Sequence, residues 1–172
     1  MRRLNAILGT TLFLVLVPGS LAVYIPWLIT DWTIAPPLLG FPLFRILGVL
    51  MIAAGAPLLL DCFIRFAIQG LGTPAPIAAP QRLVVTGIYR HTRNPMYVAV
   101  FFLTLGQALL FGSIPMLEYT LAITTGFIAF VLLYEEPTLR RKFGADYEQY
   151  RRHVPRWIPR LKPYNAPPPD PK

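Results

Sequence analysis

The sequence is poor in the side chains on which metal centres and disulfide-bonded folds depend. Charged residues make up only 14% of its 172 residues, against about a quarter in ordinary soluble domains. Cys62 is the one cysteine, so neither an intrachain disulfide nor a thiolate metal cluster can form. The two histidines, His91 and His153, are far apart and match no metal-ligand spacing. We therefore expect no metal in this protein.

Acidic residues are scarce as well. Eight Asp and Glu stand against 16 Lys and Arg, which gives a formal net charge of +8. Such an excess occurs in nucleic-acid-binding proteins, but here the basic residues stand at the ends of long apolar runs. This placement is typical of proteins that lie against anionic lipid. The predicted partner is therefore a membrane bilayer and not nucleic acid.

Long apolar runs, in contrast, are abundant, since 55% of the residues are hydrophobic. Runs of this length and polarity are typical of helices that cross a bilayer. We predict an all-α integral membrane protein with four transmembrane helices. The predicted spans are 4–28, 43–69, 96–111 and 116–134. Residues 1–162 are expected to form one domain, and the Pro-rich residues 163–172 a disordered tail.

The first run follows two arginines, as the core of a cleaved signal peptide does. It continues through Pro18 to Tyr24 and Trp27, however, and signal cores are typically only 7–15 residues long. Tyr and Trp suit the far membrane interface. We therefore predict a spanning helix, with a kink at Pro18, in preference to a cleaved signal.

The basic residues also predict the topology. Under the four-span arrangement, all of the 16 Lys and Arg except Arg45 fall on one side, and basic residues favour the cytoplasmic side. Both termini of this multi-pass protein are thus predicted to be cytoplasmic, in the inner membrane if the protein is bacterial. Near the same side, Asp61 and Arg65 are spaced to pair on one helix face. An ionisable residue in a span suggests function, but a neutralised pair with Arg65 reaching outward is the favoured interpretation.

Two polar clusters are expected to meet at that side. One precedes the third span and contains Arg90, Arg93, Asn94 and Tyr97; the other follows the fourth span and consists of Glu135 and Glu136. A short hairpin joins these two spans, so the clusters should be neighbours at similar depth. Adjacent carboxylates at a membrane boundary are costly unless they hold a cation or a hydrogen-bond donor. The alternative is an acidic helix end neutralised by Arg90 or Arg93.

Beyond the carboxylates, the chain should turn and then form an amphipathic helix. Pro137 disfavours helical geometry at the residue before it, so we expect a turn at Glu136. Apolar residues then recur at helical spacing while basic residues fill the other faces, and Gly144 is a candidate break. The apolar positions are Leu139, Phe143, Tyr147 and Tyr150.

Two blocks of this sequence resemble those of a known enzyme family. The first comprises Gly-Thr-Pro-Ala-Pro at 72–76, Leu-Val-Val-Thr-Gly-Ile-Tyr-Arg at 83–90 and Arg-Asn-Pro-Met-Tyr at 93–97. The second comprises Glu135-Glu136, Leu139, Phe143-Gly144, Tyr147, Tyr150 and Val-Pro-Arg-Trp-Ile-Pro at 154–159. In order and spacing they resemble the isoprenylcysteine carboxyl methyltransferase and phospholipid methyltransferase superfamily. The resemblance covers residues 70–159, about half of the chain.

The resemblance implies a membrane methyltransferase that uses S-adenosylmethionine. The cofactor would lie between the ends of the last two spans and be closed in by a cytoplasmic loop and the C-terminal amphipathic helix. The residues assigned to cofactor binding are Tyr89, Arg90, Arg93, Asn94, Pro95, Tyr97, Glu135, Glu136 and Tyr147. Those assigned to catalysis are Arg93, Asn94 and Glu136.

Each part of the cofactor would need a partner of suitable chemistry. Glu135 or Glu136 would accept from the ammonium or the ribose hydroxyls. Arg90 or Arg93, with Arg156 as a third candidate, would bind the carboxylate. A tyrosine ring, from residue 89, 97 or 147, would face the adenine or the sulfonium.

The implied acceptor is lipid-like or lipid-modified, carries a carboxylate or an amine, and arrives from the bilayer. A carboxylate is already ionised and needs no base, whereas an amine or hydroxyl would require His91 or a carboxylate. Two positions depart from the family pattern: Asn94 stands where many members have His, and Ala99 where Gly is common. The second change is expected to hinder close approach of the backbone to the cofactor.

Two other functions remain open at this point. Sterol reductases resemble the C-terminal pattern and use NADPH, so a membrane oxidoreductase is one alternative. A small non-enzymatic membrane protein, in which the clusters serve only topology and packing, is the other.

Overall fold

The computed structural model describes residue 9, residues 11–69 and residues 83–165, with only the backbone described for 66–69. The predictions for 4–8, for the motif at 72–76 and for the tail beyond 165 lie outside these residues. The regular elements in the described part are helical, with no strand. The helices are α1 (Thr11–Thr30), α2 (Leu43–Gln69), α3 (Pro95–Phe111), α4 (Ile114–Phe130) and α5 (Glu136–His153).

Three of the described helical stretches are long and apolar enough to cross a membrane. They are Thr11–Thr30, Leu43–Arg65 and the continuous helix Ile114–His153, in which a π turn at Val131–Glu135 joins α4 to α5. Only the part up to Tyr134 is apolar, so we take 114–134 as its spanning segment. The all-helical membrane class is confirmed. α3 has 17 residues, or about 26 Å at 1.5 Å per residue, slightly less than a bilayer core of about 30 Å.

Helices α2 and α3 pack at very short range because small residues face each other. A Cβ added to Gly106 would lie 2.8 Å from the carbonyl oxygen of Gly48, and one added to Gly55 would lie 3.0 Å from that of Ala99. Small residues allow such backbone approach between membrane helices. Ala99 is fully buried against α2, so in the structure this position serves helix packing.

Helix α1 departs from α-helical geometry just beyond Pro18, the position of the predicted kink. It continues through Pro18 and widens into a π turn at Ser20–Tyr24. Two carbonyl groups of this turn accept hydrogen bonds from other helices: Leu21 O from the Tyr119 hydroxyl at 2.8 Å, and Ala22 O from Gln107 Nε2 at 2.8 Å. Gln107, the strongly polar residue of α3, thus satisfies a backbone carbonyl of α1.

The two ends of the bundle are closed differently. At the end where α1 finishes, which we call the far end, Gly112 turns the chain with φ 69° and Ala35 N donates to Phe111 O at 3.0 Å. Arg45 Nη2 donates to Ala35 O at 2.6 Å. At the opposite end, which we call the site end, Arg65 Nε pairs with Asp61 Oδ2 at 2.7 Å, as the spacing predicts.

The turn expected at Glu136 is wrong. Glu136 is helical, with φ −61° and ψ −44°, and the helix runs on into α5. The π turn interrupts the α-helical ladder just upstream, and Pro137 lies in the first turn of α5, where its missing N–H is tolerated. The backbone breaks instead at Gly144, with φ 49° and ψ −121°.

Candidate functional site

Glu136 is the centre of a buried charged cluster at the site end. Both of its oxygens accept from Arg156, with Nε to Oε1 at 2.8 Å and Nη2 to Oε2 at 2.9 Å. Arg93 Nη1 lies 3.0 Å from Oε1 as well. The side chains of Glu136 and Arg93 are 7% and 8% exposed, while that of Arg156 is 32% exposed. Two cations and one carboxylate leave the cluster with a net positive charge.

Arg93 reaches this cluster from the turn that precedes α3. Its Nη1 also donates to the Tyr147 hydroxyl, on α5, at 3.1 Å. Its Nε is buried and has no hydrogen-bond partner among the described residues. A buried unsatisfied donor carries a desolvation cost, so Arg93 retains capacity for a further acceptor.

The arginines keep Glu136 ionised. The residue follows the spanning segment, and burial by itself would raise the pKa of its carboxyl. The hydrogen bond from Arg156 and the charges of Arg93 and Arg156 outweigh burial, and the pKa is lowered from 4.5. Burial and the charge of Glu136 raise the pKa of Tyr147, which therefore stays a neutral hydroxyl.

The C-terminal residues 154–165, which we call the roof segment, are hydrogen bonded to the turn before α3. Arg93 N donates to Pro155 O at 2.9 Å, and Arg160 N donates to His91 O at 3.0 Å. Side chains reinforce this pairing. Thr92 Oγ1 lies 3.1 Å from Arg156 O, and Asn94 Nδ2 donates to the same carbonyl at 3.1 Å. The position of Arg156 is thus fixed from the opposite segment.

Glu135 faces away from the arginines. Its Oε2 accepts from the Tyr97 hydroxyl, on α3, at 2.7 Å. The Tyr97 ring lies 4.9 Å from that of Phe127 and 6.5 Å from that of Trp157, between centroids. These three rings border a cavity of about 160 Å³ between α3 and α4, which is lined almost wholly by apolar atoms. The site end therefore combines a charged cluster with an adjacent apolar cavity.

The remaining predicted site residues lie beside the cluster. Tyr89 is buried, and its carbonyl accepts from the Tyr150 hydroxyl at 2.6 Å. Arg90 donates to Tyr164 O at 2.7 Å and also to the side chain of Asn165, so it holds the end of the roof segment. Pro95 begins α3 and is buried. The structure thus places Arg93, Asn94, Glu136 and Tyr147 together, with Tyr97 and Glu135 adjacent.

Three residues matter more in the structure than the sequence suggests. Arg156, a third candidate in the sequence, makes the two shortest contacts to Glu136. Thr92, which is 1% exposed, and Trp157 were not predicted as site residues. All three make contacts across 20 or more residues of chain, which no periodicity reveals. The run at 154–159 within the second sequence block was the available signal.

Residues 163–165, the first part of the predicted tail, lie within the described part of the chain. Tyr164 is buried against Tyr150 and Val154, and its N–H donates to Arg90 O at 3.0 Å. Residues 166–172 lie outside the described part.

Comparison with known proteins finds similarity to methyltransferases. A sequence model described as phospholipid methyltransferase matches residues 43–146, more than half of the chain. The protein-S-isoprenylcysteine O-methyltransferase of Schizosaccharomyces pombe is 40% identical over 78 residues, which are 45% of this chain and 33% of that protein. The protein of the same name from Xenopus laevis is 36% identical over 81 residues, 46% of this chain and 28% of its own. The matched part thus covers about a third of either relative. No solved structure matches the chain.

Proposed function

This chain belongs to the phospholipid methyltransferase family, and we propose that it is a membrane-embedded methyltransferase. It would transfer a methyl group from S-adenosylmethionine to a lipid-like or lipid-modified acceptor that reaches the site from the bilayer. The observation that carries the proposal is the buried cluster of Glu136, Arg93 and Arg156, placed beside an apolar cavity at the ends of α3 and α4. The names of the two relatives do not favour a reductase or a non-enzymatic protein.

The residues present suit the charged end of the cofactor. Arg93 and Arg156 already bind a carboxylate, that of Glu136, and the buried Nε of Arg93 has a donor to spare. These two arginines would hold the cofactor carboxylate. Glu136 is kept ionised and would attract the ammonium. When bound, S-adenosylmethionine supplies an electrophilic methyl group on a cationic sulfonium.

The apolar end of the site suits a ring system and a lipid. Tyr97 is held by Glu135, and its ring packs near Trp157 at the mouth of the cavity. These rings would offer faces to the adenosine or the sulfonium. The cavity between α3 and α4 would admit the apolar part of the acceptor from the bilayer. Holding both reactants in one geometry supplies much of the rate enhancement in such a transfer.

The same residues favour an acceptor that is already ionised. Glu136 is a weak proton acceptor, because the arginines lower the pKa of its carboxyl. His91 has its Nδ1 against Arg160 O at 2.7 Å, so that nitrogen is used to hold the roof segment. A carboxylate acceptor needs no base. We therefore propose a carboxylate oxygen, consistent with the O-methyltransferase names of the relatives.

The orientation in the membrane is part of the proposal. The site end carries the ends of α2 and α5 and the roof segment, and with them most of the 16 basic residues. The far end has Arg45 as its one basic residue in the described part. The positive-inside rule then puts the site, and both termini, at the cytoplasmic surface.

The test is calorimetric titration of the detergent-purified full chain with S-adenosylhomocysteine, with NADPH titrated in parallel. We expect micromolar binding of the first ligand and none of the second. Binding of NADPH alone would overturn the proposal in favour of a reductase. Binding of neither would favour a non-enzymatic protein. Transfer of a labelled methyl group to a lipid extract would then identify the acceptor.

A further inference from the structure

The roof segment carries two exposed apolar side chains that the site does not use. Ile158 is 80% exposed and Leu161 is 97% exposed. The backbone around them is fixed, since Arg160 N donates to His91 O and Tyr164 N donates to Arg90 O, each at 3.0 Å. The two side chains are therefore held outward by an ordered segment. Such exposure would be costly in water.

The chain on both sides of this apolar pair is basic. From residue 149 to residue 162 the chain contains no Asp or Glu and has five cations, Arg151, Arg152, Arg156, Arg160 and Lys162. Arg151 pairs with Glu148 and Arg156 with Glu136. Arg160 also donates to His153 O at 2.7 Å, which ties the segment to the end of α5. The segment that carries the pair therefore has a net positive charge.

The position of Trp157 indicates how this surface lies relative to the ends of α3 and α4. Its ring lies 6.5 Å from that of Tyr97 and borders the cavity together with Phe101 and Phe127, which belong to α3 and α4. The roof segment thus starts level with the ends of apolar helices. Leu133, at the end of the α4 span, is 80% exposed at the same end of the bundle. Membrane–water interfaces are found at such helix ends, and Trp is enriched there.

We propose that Ile158 and Leu161, with Arg152, Arg160 and Lys162 around them, form a surface that docks on anionic lipid headgroups of the leaflet at the site end. The two apolar side chains enter the acyl boundary, and the cations bind the headgroups above it. A second copy of the chain suits this surface poorly, because a symmetric contact would bring the same cations together. The docked surface would hold Arg156 and Trp157, which the same segment contributes to the site.

The test attaches a fluorophore at position 161 and measures whether lipid, water or protein surrounds it. Leu161→Cys can be labelled selectively, because Cys62, the one native cysteine, is fully buried. The labelled full chain is placed in nanodiscs of zwitterionic lipid, with or without anionic lipid. Quenching by brominated acyl chains is compared with quenching by aqueous iodide. We expect strong quenching by the bromolipid and protection from iodide, both increased severalfold by anionic lipid.

A matched control comes from the far end. Leu39 is 83% exposed there, in a loop, residues 31–42, that contains no Lys or Arg. Leu39→Cys should respond to bromolipid equally with and without anionic lipid. Adding Arg152→Gln and Lys162→Gln to Leu161→Cys should remove most of its dependence on lipid charge.

Three results would overturn the docking surface. Free quenching of the Leu161 label by iodide would place the segment in water. Protection from both quenchers would mean that protein covers the Leu161 label. An equal response to anionic lipid at Leu39 and Leu161 would remove the role of the cations.

Discussion

The two ends of the bundle use polar side chains for different purposes. At the far end they serve local geometry: Ser113 Oγ accepts from Met116 N at the start of α4, and Thr33 Oγ1 donates to Thr30 O. At the site end, polar side chains bridge segments more than 50 residues apart, as in Arg93 to Tyr147 and Thr92 to Arg156. That end also buries an ion pair, between Arg93 and Glu136.

The difference indicates that the site end contains buried charges that the stability of the fold does not require. Closing a helical hairpin takes a glycine in the left-handed region and a capping hydroxyl, which the far end provides. Replacing a buried ion pair by apolar residues is often neutral or stabilising. A cluster of two cations and one carboxylate, in which Arg93 and Glu136 are buried, is therefore better explained by a ligand than by folding. The unpartnered Nε of Arg93 does not by itself distinguish this end, because, among the described residues, Arg45 at the far end has one as well.

The largest effect should come from removing the centre of the cluster. Glu136→Ala leaves Arg93 buried without its carboxylate, and breaking a buried pair costs about 3–5 kcal/mol. The free energy of unfolding, measured by denaturant titration in detergent, should fall by that order, and S-adenosylhomocysteine binding should be lost. Glu136→Gln should keep more of the stability and still lose most of the affinity.

Glu148 provides the matched control for that variant. It pairs with Arg140 and Arg151 at 3.0 and 2.9 Å, but its side chain is 35% exposed. Exposed pairs contribute about 0–1 kcal/mol, so Glu148→Ala should change stability little and leave binding intact. Equal losses for Glu136→Ala and Glu148→Ala would contradict a special role for the buried cluster.

A smaller effect, on stability alone, is expected in the half of the bundle near the far end. Gly106→Ala would place a Cβ 2.8 Å from Gly48 O, so α2 and α3 must separate. Overpacking of this kind costs about 1–3 kcal/mol. Gly126→Ala is the control, because a Cβ there meets nothing within 4 Å. Thermal unfolding should separate the two variants, while S-adenosylhomocysteine affinity stays near that of the unmodified chain. A Gly106→Ala protein as stable as Gly126→Ala would contradict the close packing.

Sequence reasoning predicted the elements better than the contacts between them. The apolar run 43–69 coincides with α2, and the run 96–111 differs from α3 by one residue. A hairpin brings its two ends together, so Arg93 near Glu136 could be anticipated and is confirmed by the 3.0 Å contact. The turn predicted from Pro137 is absent. A π turn just upstream accommodates the proline ring, which would clash in a regular α-helix, so the helix continues.

The roof segment could not be placed in the same way. Its position depends on hydrogen bonds such as Arg160 N to His91 O, which leave no repeating pattern in the sequence. The role of Arg156 and Thr92 follows from that position. Gln107 is visible in the sequence as a polar residue in an apolar run. Its partner, Ala22 O, belongs to another helix and cannot be identified from the sequence.

A still smaller effect should follow from loosening the roof segment. Thr92→Val removes a buried hydroxyl that lies 3.1 Å from Arg156 O and 3.2 Å from Trp157 O. The loss of one hydrogen bond costs about 1 kcal/mol, or roughly a fivefold loss of S-adenosylhomocysteine affinity if it is felt at Arg156. Thr33→Val makes the same change at the far end, where the hydroxyl donates to Thr30 O at 2.7 Å. Calorimetry should show weaker binding for Thr92→Val and unchanged binding for Thr33→Val. Equal affinities would mean that the roof segment does not contribute to ligand binding.

The smallest predicted effect is the loss of thermal stability at acid pH. The pKa of Glu136 is lowered from 4.5 in the folded protein, so as the pH falls the unfolded chain takes up this proton first. The stabilisation from Glu136 is therefore fully present above about pH 4.5 and is lost as the pH falls through the lower, folded value. Thermal midpoints should show little contribution from this residue between pH 7 and pH 5 and a growing loss below. Glu136→Gln cannot titrate, so its midpoint should fall less steeply in that acid range. Parallel curves for the two proteins would mean that the arginines do not hold the carboxylate in its ionised form, and the site end would then differ from the far end in geometry but not in charge.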